Sequence, residues 1–251
     1  MEELISDKEQ HIIADKTVIN KFAEAANLTK KDRVIEIGAG IGNITEELIK
    51  RAGEVLAFEV EGRFDQELEN LEKNNKNLEV IFGNALNYPW KGYKIVANIP
   101  FSISDEVIIK AVLERVEELV LIVGDHFRTI LEEKESKIGF IASLFFDAEN
   151  LFKISGEAFK PIPHTSGWAV RLRRRKEKNQ VERILRGIIT KNGKIKNSII
   201  YSISNEGKTK NEAREILKKL EMDQETLDKP VAKITGKFLI RLKNELSKLN
   251  F

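Results

Sequence analysis

The sequence predicts an α/β protein: a doubly wound parallel sheet followed by a small C-terminal α-helical domain. Three observations carry this. Short apolar runs alternate with amphipathic stretches through the first half, one of those runs is closed by a cluster of glycines, and only helical spacing follows the charged run at 173–178. Strand and helix alternating at this spacing give parallel strands joined by crossover helices.

Residues 17–27 put Val18, Phe22 and Ala25/Ala26 on one helical face. Val34 to Ile37 is a short apolar run closed by glycines, as in a buried parallel strand. A helix at 44–51, a strand at 55–60 and a helix at 64–73 follow, then strands at 78–82 and 94–97, a helix at 106–114 and a strand at 118–123. Apolar runs at 138–146 and 168–172 read as later strands. Helical patterns occupy 181–190, 195–203, 210–219, 223–227 and 235–249. The expected domains are therefore 1–178 and 179–251.

The composition removes whole classes of function. With no cysteine in 251 residues there is no disulfide, thiolate zinc site, iron–sulfur cluster or cysteine nucleophile. Three scattered histidines, His11, His126 and His164, argue against a histidine-rich metal site. No run reaches the roughly eighteen apolar residues of a membrane span, and Met-Glu-Glu-Leu does not open like a signal peptide. The expectation is a cytoplasmic protein with no membrane or metal partner. One-third of the residues are charged, which hints at a thermophilic source. The net charge of +2 conceals a polarity: residues 1–150 hold 18 Lys and Arg against 29 Asp and Glu, whereas residues 151–251 hold 24 against 11. A basic rear half of this size points to a polyanion, and hence to nucleic acid.

Glu36-x-Gly38-x-Gly40-x-Gly42 follows a strand and opens a helix, where glycines let the backbone turn tightly and approach a ligand. A dinucleotide site spaces its last two glycines three residues apart; here the spacing is two. The acidic Glu36 before the glycines favours a methyl-donor site, with a carboxylate facing the cofactor's amino group. Glu59, at the next strand's end, can accept the ribose hydroxyls of a nucleoside cofactor. After the third strand, Asn84 can bond an adenine amino edge while the Ala85 N–H reaches a ring nitrogen.

Asn98-Ile99-Pro100-Phe101 follows the fourth strand, at the edge where open α/β sheets bind ligands. An exocyclic amine conjugated to a base is a poor nucleophile. The Asn98 side-chain carbonyl and the rigidly presented Pro100 carbonyl can each accept one of its N–H groups and draw the nitrogen towards a reactive geometry. Phe101 offers a face on which an extruded base can stack. A sulfonium methyl is already activated, so positioning suffices. Adenine and cytosine present the same edge to such a motif, and both stay open.

These motifs together resemble the ribosomal RNA adenine N6-dimethyltransferase family, which includes the KsgA-type and Erm enzymes. The similarity runs nearly end to end. Glu9-Gln10-His11-Ile12-Ile13-Ala14-Asp15 is similar to the family's N-terminal segment, which implies that Gln10, His11 and Ile13 line the cofactor site. Gly38 and Glu59 match the donor positions, Asn84 the adenine-contacting one, and Asn98 to Phe101 the target-amine motif; Gly40 is expected to bind cofactor with them. Residues 159–166 resemble a Phe-x-Pro-x-Pro loop. Residues 190–197 resemble a basic stretch, implying RNA contacts from Lys191, Lys194 and Lys196, to which the run Arg173, Arg174 and Arg175 adds.

The resemblance implies a Rossmann-like class I methyltransferase sheet, S-adenosyl-L-methionine as cofactor, small-subunit ribosomal RNA or its precursor particle as partner, and a monomer adding two methyl groups. The chain departs from the pattern where Asn84 stands for Asp, where Phe101 stands for the Tyr of many members, and where the basic stretch has only lysines. Three alternatives accompany this reading: a cytidine N4-dimethyltransferase, a non-catalytic ribosome-assembly factor, and a DNA amino-methyltransferase.

Overall fold

In the computed structural model, which describes residues 11–163 and 165–249, the first-half apolar runs become the centre of a single sheet. In chain order the elements are β1 (Ile12–Ile13), α1 (Lys16–Ala25), β2 (Arg33–Ile37), α2 (Asn43–Arg51), β3 (Glu54–Glu59), α3 (Asp65–Asn74), β4 (Leu78–Phe82), β5 (Lys94–Asn98), α4 (Ser104–Leu113), β6 (Glu118–Gly124), α5 (Asp125–Glu133), α6 (Lys137–Phe145), β7 (Phe146–Ile154), β8 (Phe159–Lys160), β9 (Gly167–Arg174), α7 (Gln180–Thr190), α8 (Ile195–Ser204), α9 (Lys210–Lys219), α10 (Gln224–Leu227) and α11 (Gly236–Lys248). No helix among the described residues is long and apolar enough to cross a membrane.

The seven-stranded sheet has the order β4-β3-β2-β5-β6-β9-β7. Its first five strands are parallel, while β9 runs antiparallel to β6, with Glu118 opposite Arg173 and Gly124 opposite Gly167. The sheet is thus mixed, not wholly parallel as expected. The chain leaves β2 for β3 and β4 on one side, then returns to place β5 and β6 on the other. The switch point lies between β2 and β5, and a crevice opens beyond their carboxyl ends. Covered on both faces, the central strands read as nearly continuous apolar runs: Val34, Ile35, Val55, Ile95, Ala97, Leu119 and Leu121 are all fully buried.

Two compact units make up the chain, one of Met1–Thr129 with Ala148–Arg174, the other of Ile130–Asp147 with Arg175–Phe251. The boundary expected after residue 178 falls at 174, and α6 joins the helical unit. This corrects the reading of 138–146 as a strand. A continuous apolar run fits a buried helix as well as a buried strand, and here Ser136 caps the helix by accepting the Gly139 N–H at 3.0 Å.

The helical unit packs Ile184, Leu185, Ile188, Ile195, Ile199, Leu239, Leu242 and Leu246 out of solvent. Arg175 grips Glu182 through two bonds of 2.8 and 3.1 Å. Burial alone would raise the Glu182 carboxyl, but Arg175 and the Lys178 N–H hold it below the usual carboxylate range.

Candidate active site

An open cleft lies at the carboxyl edge of the sheet. Of the residues expected to bind cofactor or target, His11, Ile13, Gly38, Gly40, Glu59, Asn98 and Pro100 line it. Gln10 lies outside the described residues. Phe101 opens a 3-10 turn, Phe101–Ile103, and its side chain is outside the described part of the molecule.

The glycine turn is built by necessity. Gly38, Gly40 and Gly42 have φ of 74°, 55° and 85°, a region costly for any residue with a Cβ. The Gly38 and Ala39 N–H groups donate to the Phe58 carbonyl at 2.8 and 3.0 Å, which ties the turn to β3. Glu59, buried at the end of β3, accepts the Gly40 N–H on Oε2 at 2.7 Å and the Val60 and Glu61 N–H groups on Oε1 at 2.8 and 2.9 Å. A carboxylate offers about four acceptor positions, so with three filled one is left, on Oε2.

Glu36 corrects its expected role. Its carboxyl is 1% exposed, is not part of the cleft wall, and accepts the Thr45 hydroxyl at 2.6 Å. Burial, reinforced by the nearby charge of Glu59 and opposed by Thr45, pushes its pKa up to about 8. It braces α2 against β2 as a neutral acid. Asn84 and Ala85 are not part of the cleft wall either. Asn84 caps a 3-10 turn, Ala85–Asn87, by accepting the Leu86 N–H at 2.9 Å, and the buried Trp90 indole donates to the Ala85 carbonyl at 2.9 Å.

Across the switch point, Asn98 donates its amide N–H to the His11 carbonyl at 2.8 Å. A carbonyl partner can only accept, so this bond fixes which end of the amide is which. Oδ1 is left as the acceptor that the amine chemistry requires. The Pro100 carbonyl takes the Ile103 N–H at 3.2 Å and keeps a second lone pair. The segment that receives Asn98 is held in turn, because β1 pairs antiparallel with β8, His11 Nδ1 donates to the Pro161 carbonyl at 2.9 Å, and Asn43 donates to the Ile13 carbonyl at 2.8 Å. Sequence reasoning missed Asn43 and Thr165, whose places in the wall depend on distant loops.

The basic residues divide. Arg174 donates to the carbonyls of Val116, Ala111 and Val112, and Arg175 to Ser143 and Glu182. Both hold the fold, so the expected phosphate contacts from them narrow to the half-exposed Arg173, which pairs with Glu118 at 3.1 Å. Lys194 and Lys196 share Asp228 at 3.2 and 2.8 Å, and together they draw its carboxyl down to about 2. Lys191 sits 4.0 Å over the Tyr201 ring.

A sequence profile of ribosomal RNA adenine dimethylases matches residues 3–234. The chain belongs to the ribosomal RNA adenine dimethylase family. It is 31% identical over 229 residues to a probable ribosomal RNA small subunit methyltransferase A of Methanopyrus kandleri, covering 85% of this chain and 82% of that one. The Methanococcus maripaludis protein of the same description is 31% identical over 227 residues, covering 84% and 86%. Two solved structures share the fold: the 23S rRNA methyltransferase ErmE (TM-score 0.63, 22% identity, 94% of this chain and 99% of that one) and a dimethyladenosine transferase from Plasmodium falciparum (0.64, 21%, 95% and 98%). The sheet accordingly has class I methyltransferase topology, and members of the dimethylase family methylate ribosomal RNA with S-adenosylmethionine. Adenine, the family's base, decides the choice that Asn98 to Phe101 leave open.

Proposed function

We propose that this chain binds S-adenosylmethionine across the ends of β3 and β2 and dimethylates the N6 amine of an adenine in small-subunit ribosomal RNA at the end of β5. The observation that carries the reading is the Asn98 amide, pinned by the His11 carbonyl with its oxygen left to accept.

The cleft fits the cofactor. A Cβ at Gly40 would stand 3.8 Å from Ile12 and one at Gly38 3.9 Å from Pro100, so side chains there would narrow the floor. When bound, S-adenosylmethionine supplies a methyl group on a positively charged sulfur, which needs no further activation. Glu59 orients the ribose through Oε2. Ile13 and Ile44 give apolar wall, and the exposed Val60, next to Glu59 in the chain, offers an apolar surface to the adenine end. Asn98 Oδ1 and the Pro100 carbonyl accept the two N–H groups of the target amine and concentrate its lone pair towards the β2 side. With one methyl in place a single N–H remains for the second round. Phe101 stacks on the base. Lys191, Lys194, Lys196 and Arg173 neutralise phosphates, and the names of the archaeal relatives support the small-subunit substrate.

Asn98→Ala tests this. Transfer to small-subunit RNA falls by about 100-fold or more, while calorimetry finds cofactor affinity within a few-fold of the parent. A protein that binds no S-adenosylmethionine, or an Asn98→Ala variant that retains transfer, would overturn it.

A further inference from the structure

The carboxyl edge of the sheet has a definite order. Glu59 ends β3, Gly38 follows β2, Asn98 ends β5, Gly124 ends β6, and Gly167 opens the antiparallel β9 opposite Gly124. With the methyl donor over β3 and β2 and the amine at Asn98, the body of the target base extends towards β6 and β9. Thr165 lies there, two residues before β9, in the wall of the same cleft.

The other polar side chains of that wall each make at least one hydrogen bond within the protein. Asn43 and Asn98 donate to main-chain carbonyls, as does His11, and Glu59 accepts three N–H groups. Among the described residues, the Thr165 hydroxyl has no hydrogen-bond partner. The floor next to it is filled and apolar. A Cβ at Gly167 would come within 2.8 Å of the Phe159 ring and 3.6 Å of Ile122, so the ring occupies the space a side chain would take. A base lying here finds an apolar floor and one free hydroxyl on the wall.

We infer that Thr165 is a specificity-determining residue whose hydroxyl donates to a ring nitrogen flanking the exocyclic amine of the target base. The inference rests on the proposed function. Both amine N–H groups are taken by Asn98 and Pro100, so the remaining need of the base is a donor for the ring nitrogen beside the amine. Adenine carries such nitrogens on both sides (N1 and N7), whereas cytosine carries one. A ring nitrogen brought against this wall without a donor would lose its hydrogen bond to water, and Thr165, on the β9 side, has a hydroxyl that no described protein group occupies.

The test uses the full chain and small-subunit ribosomal RNA. The methylated adenosine is first located by mass spectrometry, then replaced by its 1-deaza or 7-deaza analogue through splinted ligation. Thr165→Val, which keeps the shape and removes the hydroxyl, lowers kcat/KM by about tenfold or more, while cofactor affinity stays unchanged and Thr165→Ser keeps most of the activity. One of the two analogues slows the parent by a similar factor but slows Thr165→Val no further. Parental activity in Thr165→Val, or analogue effects that multiply fully with the substitution, would overturn the inference. If Asn98→Ala still abolishes transfer in that case, the proposed function survives alone. A parent chain that methylates no RNA removes both.

Discussion

Glu36 is a carboxyl group without solvent, beside a second carboxylate and braced by one hydroxyl. Burial is the main reason its pKa rises to about 8, and the charge of Glu59 adds to it. Between its ordinary value of 4.5 and about 8, the folded chain keeps a proton that the unfolded chain has released. The unfolded state binds fewer protons in that window, so stability from this group is full below pH 4.5 and is lost as pH rises to about 8. Glu36→Gln keeps the shape without the proton. Thermal melts at pH 5 and pH 9 will therefore show a smaller loss for the variant than for the parent, the difference being on the order of a few kcal/mol. Equal losses would mean that Glu36 titrates as it does in the unfolded chain. The same residue shows what sequence leaves hidden. The places of Gly38, Gly40, Glu59 and Asn98 in the cleft wall are legible because each stands at or just after a strand end. Whether Glu36 faces the cleft or the core is set by how α2 packs, through Thr45.

At the scale of elements, α6 is the informative case. Its residues are buried nearly all round, which erases the periodicity that separates helix from strand. The glycine within it is a packing requirement. A Cβ at position 139 would stand 2.1 Å from the Ile130 carbonyl oxygen and 3.1 Å from the Lys134 Cα, both of them backbone atoms. Gly139→Ala, normally a gain inside a helix, will therefore destabilise the protein by about 1–3 kcal/mol, read as a lower urea midpoint at unchanged slope. A higher midpoint would mean that the close approach relaxes freely. The parallel strands were legible because each is a short apolar run before a turn signal. β7 and α5 were not. β7 is half-exposed, with Asp147, Glu149 and Asn150 in its first half, and α5 follows β6 directly with no loop to mark it.

For the whole molecule the deciding feature is charge. Residues 151–251 carry an excess of 13 positive charges and residues 1–150 an excess of 11 negative ones. A uniformly basic protein would bind RNA anywhere on its surface, whereas this distribution confines attraction to part of it. Many of the arginines in that region are spent on the fold, which shifts the burden to exposed lysines. Among the described residues, Lys194 and Lys196 are held only by Asp228, at the surface, where such pairs are weak and screened by salt. A phosphate can therefore displace Asp228 at little cost. Each phosphate so neutralised steepens the salt dependence of binding by about 0.7–0.9 in log K against log salt. Replacing both lysines with alanine will weaken RNA binding and flatten that slope by roughly one to two. Asp228→Asn, which frees both ammonium groups, will tighten binding at low salt. The measurement is a filter-binding titration of small-subunit RNA across 50–200 mM salt, a range chosen because about this span separates contact numbers clearly. An unchanged slope in the double variant, with Asp228→Asn neutral, would remove these lysines from the interface and leave the positive excess to act from Lys191, Arg173 and the helices beyond.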